Sequence, residues 1–137
     1  MQETDLIIKG GKALLMDARN TLIENASIVV NNNDIVAIGD SKDIEKKYHA
    51  PKIIDAQNSL VMPGFVNCHT HAPMTCFRGI ADDLELMDWL NNYIFPAEAK
   101  NVNKNLAYWG TMLACAEMIK SGTTTFKDMY IFEDETA

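Results

Sequence analysis

The 137-residue chain is poor in the features that mark several large classes of protein. It has 12 Lys and Arg against 19 Asp and Glu, a formal net charge of −7, and its cations gather nowhere along the sequence. Phosphate backbones are held by grouped basic side chains, so no nucleic-acid partner is expected, and the acidity serves solubility. No apolar run approaches the roughly 18–20 residues of a spanning helix, so no membrane partner is expected either. There are three cysteines, Cys68, Cys76 and Cys115. Their number is odd and no two stand at CxxC spacing, as suits free thiols in a reducing compartment. The opening Met1-Gln2-Glu3-Thr4-Asp5 has neither the cationic stretch nor the apolar core of a secretory leader. Together these absences predict a cytoplasmic location.

What is present suits folded structure. Hydrophobic residues make up 47% and charged residues 23%, a balance that supports one domain with a core and argues against disorder. No internal repeat or low-complexity segment interrupts it.

The first sixty residues read as short strands joined by polar turns. Leu6-Ile7-Ile8 and Ala13-Leu14-Leu15-Met16 are separated by Gly10-Gly11. Ser27-Ile28-Val29-Val30 and Ile35-Val36-Ala37-Ile38 flank Asn31-Asn32-Asn33-Asp34, and two β-branched runs around an Asn/Asp cluster predict a hairpin. Ser41 is placed to cap a short helix, Lys42 to Tyr48, with Asp43 in its first turn. Ile53-Ile54 and Leu60-Val61-Met62 complete a small, mostly β unit.

The pattern changes at Pro63-Gly64, a strong punctuation mark. A short strand, Phe65-Val66, runs into Asn67-Cys68-His69-Thr70-His71, followed by a loop-rich stretch with short helices to about Asn101. A helix is expected from about Asn103 to Ser121. Its stripe Tyr108, Met112, Cys115 and Ile119 lies beside a second, Leu106, Trp109, Leu113 and Ala116, so the helix should be broadly buried. Gly122 suits the position just past its end. Thr123-Thr124-Thr125-Phe126 reads as the next strand. Strand, helix, strand implies a parallel α/β sheet. One such step does not close a sheet, and a (β/α)8 barrel takes about 250 residues, so the chain is expected to be a fragment. The rival expectation is that the last strand is misread and the tail is helical.

The chemistry concentrates in His69-Thr70-His71. Residues i and i+2 of a strand point to one face, so both imidazoles project together from the strand's C-terminal end, with Asn67 behind them. Two neutral imidazoles converging on one point suit a divalent ion such as Zn²⁺. His49 has no partner nearby in sequence and reads as a surface or packing residue. Asp82, Asp83, Glu85 and Asp88 read as a solvated acidic face. Cys68 alternates away from His69 and is expected to be buried packing. Asp128 stands near the end of the second strand and is not assigned as a ligand.

Val61-Met62-Pro63-Gly64-Phe65-Val66-Asn67-Cys68-His69-Thr70-His71 resembles the entry into the barrel of the amidohydrolase superfamily. Ala72-Pro73-Met74-Thr75, Phe77-Arg78-Gly79, Asp82-Asp83-Leu84, Trp89-Leu90 and Phe95-Pro96-Ala97-Glu98 narrow the resemblance to the 5′-methylthioadenosine/S-adenosylhomocysteine deaminases. They are similar, less closely, to s-triazine hydrolases. The resemblance implies an α/β fold: residues 1–62 as part of a small β-sandwich-like domain, and residues 63–137 as the first βα unit and second strand of an incomplete, metal-dependent (β/α)8 TIM barrel. It implies that His69 and His71 are two ligands of one divalent metal ion, Zn²⁺, that Glu98 binds the ribose hydroxyls of a nucleoside, and that Trp89 lines the substrate pocket. The family's remaining ligands and proton-shuttling glutamate lie on later strands, so no catalytic residue is assigned here. The reaction implied is hydrolytic deamination of an adenosine-type nucleoside by a metal-activated water. The alternatives are hydrolysis of an s-triazine or another aminated heterocycle, and a truncated module without catalysis. A homo-oligomer is an open possibility.

Overall fold

The computed structural model describes all 137 residues, Met1–Ala137. They divide into two units, Met1–Pro63 and Gly64–Ala137. No helix is long and apolar enough to cross a membrane.

The first unit is built on a sheet. The expected hairpin is formed by β3 (Leu22–Asn31) and β4 (Asp34–Asp40), which pair antiparallel. Its turn passes through Asn32 at φ 54°, a conformation that Asn tolerates better than most residues. β2 (Leu6–Leu14) pairs antiparallel with β3 and parallel with β6 (Lys52–Asp55) and β7 (Leu60–Val61). The Gly10-Gly11 break expected between two strands is instead a bulge within one. Register shifts flank Gly11 while Gly10 sits at φ +84°. Glycine takes that conformation at no steric cost, so the ladder bends and continues. The core consists of two apolar clusters, Ile7, Val29 and Ile44, and Ala13, Ala26 and Ile28.

The short helix, α1, spans Ser41–Lys47 and is capped one residue earlier than expected. The Asp40 carboxylate accepts from the Lys42 N–H at 2.9 Å, where a negative charge also suits the helix dipole. Ser41 is buried instead. Its hydroxyl donates to the Asn25 carbonyl at 2.7 Å and accepts from Ser27 Oγ at 2.9 Å. β5 (Tyr48–His49) pairs parallel with β1 (Gln2–Glu3). The exposed His49 uses its carbonyl to accept from Thr4.

The second unit holds the parallel pair. β8 (Phe65–Thr70) and β9 (Thr123–Asp128) run side by side, with Phe65 opposite Thr123 and Thr70 opposite Asp128. Between them the chain makes a 3₁₀ helix over Ala72–Phe77, α2 (Leu86–Trp89), a π-helical turn over Leu90–Ile94, α3 (Phe95–Asn101) and α4 (Lys104–Lys120). The Asn103 side chain caps α4, accepting from the N–H groups of Asn105 and Leu106. Gly122 follows the helix at φ +84°, as expected for that position. The tail after β9 ends in a short helical turn, α5 (Glu133–Thr136).

The expectation that α4 is broadly buried is corrected. The residues it buries are small: Ala107, Gly110, Thr111 and Ala114. Tyr108, Trp109, Met112, Leu113 and Ile119 are exposed. The reason is close backbone approach. A Cβ placed on Gly110 would lie 2.7 Å from the Pro73 carbonyl oxygen, so α4 rests on the 3₁₀ helix through its small-residue stripe and turns its large apolar side chains outward.

Candidate metal and ligand site

The site grows from the C-terminal end of β8. The Asn67 side chain accepts from the His69 N–H at 3.2 Å. β8 ends at Thr70, and His71 is the residue before the 3₁₀ helix. Its carbonyl accepts from the Met74 N–H at 2.9 Å, while Ala72 and Pro73 are buried. Despite the end of the strand between them, the two imidazoles stay together: their centroids are 5.3 Å apart with 63° between the rings. His69 is exposed, whereas His71 Nδ1 is buried and has no hydrogen-bond partner. Buried polar atoms are nearly always satisfied, so this orphan nitrogen marks a place where a further group is expected. The paired imidazoles fit part of a divalent-metal donor set. No cluster of three or more His, Cys, Asp or Glu side chains completes it.

Asp128 ties the two strand ends together. One carboxylate oxygen accepts from the Ala72 N–H at 2.6 Å and the other from the Tyr130 N–H at 2.8 Å. Both of these hydrogen bonds come from the backbone.

A cavity of about 330 Å³ opens beside His71. Its lining includes Met74, Trp89, Ile94, Glu98 and Tyr130. The structure therefore brings three of the four expected residues, His71, Trp89 and Glu98, to one cavity, with His69 reaching it only through its ring contact with His71. Glu98 lies in the first turn of α3. It accepts a 2.6 Å hydrogen bond at Oε1 from the phenol of Tyr130, a buried residue. The Tyr130 ring also stands edge-on to His71, 5.7 Å away at 89°. Burial first, then the hydrogen bond and charge of Glu98, then the charge of Asp128, push the Tyr130 phenol well above its ordinary pKa. It is therefore a neutral donor to the carboxylate.

Tyr130 was not expected from the sequence. The one local signal for it is its position two residues beyond Asp128, just past a strand end. Cys68, expected to be buried, is exposed. Strand alternation sets the side on which it lies but not what covers that side, and its neighbours Phe65 and Val66 are exposed too. The acidic residues Asp82, Asp83, Glu85 and Asp88 are all exposed. Within them Glu85 caps α2, and Asp88 accepts from the Asn92 side chain.

The chain is 56% identical over all 137 residues to 5-methylthioadenosine/S-adenosylhomocysteine deaminase 1 of Syntrophus aciditrophicus, of which it covers 31%. It is 55% identical over 105 residues to 5′-deoxyadenosine deaminase of Methanocaldococcus jannaschii, covering 77% of this chain and 24% of that one. The crystal structure of an adenosine deaminase from Xanthomonas campestris with bound zinc superposes at a TM-score of 0.94 with 37% identity, over 99% of this chain and 31% of that one. The chain thus spans under a third of the length of the relatives it matches. The family model described as "Amidohydrolase family" matches residues 60–136; more than half of the sequence, including both histidines, Trp89, Glu98 and Tyr130, falls within it, and the chain belongs to the amidohydrolase family.

Proposed function

We propose that this chain supplies the metal-entry part of a hydrolase that deaminates adenosine-type nucleosides such as 5′-methylthioadenosine and S-adenosylhomocysteine. The observation that carries the reading is that His71 of the imidazole pair and Glu98 line the same cavity. The names of the relatives support the same substrate class. In this reading residues 63–137 form the first βα unit and second strand of a (β/α)8 barrel, and residues 1–62 part of a small β-sandwich-like domain. In such barrels the site lies at the C-terminal strand ends, where His69 and His71 stand.

His69 and His71 would hold one divalent ion, Zn²⁺. When bound, such an ion supplies a Lewis acid that lowers the pKa of a coordinated water. The zinc in the Xanthomonas campestris neighbour supports this choice. Glu98 accepts hydrogen bonds from adjacent ribose hydroxyls, an arrangement a carboxylate is suited to. Trp89 and Ile94 give the cavity apolar walls that keep water from the base. Asp128 sets the backbone next to His71. The remaining ligands and the proton-transfer group come from the rest of a protein of the relatives' length. The three free cysteines suit a reducing cytoplasm.

The test is an absorbance assay on a protein of the relatives' length that carries this sequence, with 5′-methylthioadenosine, S-adenosylhomocysteine and an aminated s-triazine. Zinc-dependent deamination of the nucleosides is the expected result. Preference for the triazine, or no turnover by the zinc-loaded protein, overturns the reading. The 137-residue chain alone should be inactive.

A further inference from the structure

We propose that Tyr130 is a positioning residue for Glu98, fixing one carboxylate oxygen so that the other faces the ligand. The inference rests on the ribose-binding reading of Glu98 and extends it to a residue that reading does not use. The phenol donates to Glu98 Oε1 at 2.6 Å, a short bond of the kind made to charged acceptors. Glu98 sits on α3 and Tyr130 just past β9, 32 residues away, so the bond locks together two elements that local sequence does not. No protein donor engages Oε2.

The backbone of Tyr130 is itself held. Its N–H donates to Asp128 Oδ1, and the same carboxylate accepts from Ala72, the residue after His71. The Tyr130 ring stands edge-on to His71. One aromatic side chain therefore spans the distance between the imidazole pair and the carboxylate. A free glutamate samples several side-chain rotamers, and immobilising it on binding costs entropy. The phenol removes that cost before the ligand arrives. It leaves Oε2, together with the unused lone pair of Oε1, as two acceptors in fixed places, which is what a pair of adjacent hydroxyls requires.

The test is a double-mutant cycle of Tyr130→Phe and Glu98→Ala in the full-length, zinc-loaded enzyme with 5′-methylthioadenosine. Tyr130→Phe keeps the ring against His71 and removes only the oxygen. It should raise KM about fivefold to tenfold, leave kcat within twofold and leave zinc content unchanged. In the Glu98→Ala background the same substitution should change KM by less than twofold. If Glu98→Ala raises KM while Tyr130→Phe does not, or if the two effects multiply, the positioning role is overturned and the ribose reading stands. A fall in kcat or zinc content in place of KM also overturns it, because the phenol would then be holding the fold. If Glu98→Ala leaves KM unchanged, the ribose reading fails and the role of Tyr130 falls with it.

Discussion

The Asp128 carboxylate accepts from the Ala72 N–H at 2.6 Å across 56 residues of sequence, so the residue next to His71 is held by the far end of the neighbouring strand. The other oxygen accepts from Tyr130. Asp128→Asn keeps the size and one acceptor but turns an amide NH₂ toward a backbone N–H, setting donor against donor. A hydrogen bond to a charged group is worth about 1.5–3 kcal/mol, so a loss of about 2 kcal/mol is expected. With a urea m-value of about 1–3 kcal/mol/M, the unfolding midpoint should fall by roughly 1 M. An unchanged midpoint would mean that the carboxylate does not fasten the strand ends.

Much of this arrangement is legible in the sequence, and what is not has an identifiable cause. The hairpin can be read from Ile28-Val29-Val30, Ile35-Val36 and the Asn cluster between them, because turn chemistry and β-branching are local. The imidazole pair can be read from strand alternation, even though β8 stops one residue before His71. The bulge at Gly10 cannot, since a glycine pair signals a turn and a bulge equally well. Nor can the packing of α4. An apolar stripe shows which residues would benefit from cover, whereas Gly110 against Pro73 decides which face receives it. Tyr130 is invisible for a similar reason. Its meaning lies in a partner 32 residues away, and no periodicity links them.

The metal affinity of the 137-residue chain should be low. Two imidazoles fill half of a usual four-coordinate zinc site, and no third ligand stands with them. Titration calorimetry with Zn²⁺ should give micromolar or weaker binding, abolished in the His69→Ala, His71→Ala double variant. Stoichiometric zinc surviving dialysis against a chelator would show that the pair recruits ligands the structure does not place there.

The chain should also self-associate. Trp109 is 59% exposed and Ile119 75% exposed, and both lie on α4 with Tyr108, Met112 and Leu113. Exposed apolar patches of this kind drive association. Light scattering on the 137-residue chain should show a mass that grows with concentration, and Trp109→Lys with Ile119→Lys should reduce it. A monomer at high concentration would mean that these side chains are too scattered to form a patch.

In the full-length enzyme, His69 and His71 should matter for every substrate and Glu98 for the choice among them. The two rings lie 5.3 Å apart at a strand end, and any reaction that depends on an ion they hold stops without them. Glu98 lines the cavity and is linked to His71 through Tyr130, by the contacts His71–Tyr130–Glu98. In Glu98→Gln the side-chain oxygen can still accept from the Tyr130 phenol, so the amide nitrogen takes the place of Oε2 and presents a donor where the diol needs an acceptor. The expected cost is about 1.5–3 kcal/mol, the range for a hydrogen bond to a charged group. That is roughly one to two decades in kcat/KM, at 1.36 kcal/mol per decade. The loss should appear with adenosine-type nucleosides and be small with an aminated triazine, which has no ribose, while zinc content stays at the wild-type level. Equal slowing of both substrates, or loss of zinc, would show that Glu98 supports the metal site itself and would remove the local basis for a nucleoside substrate.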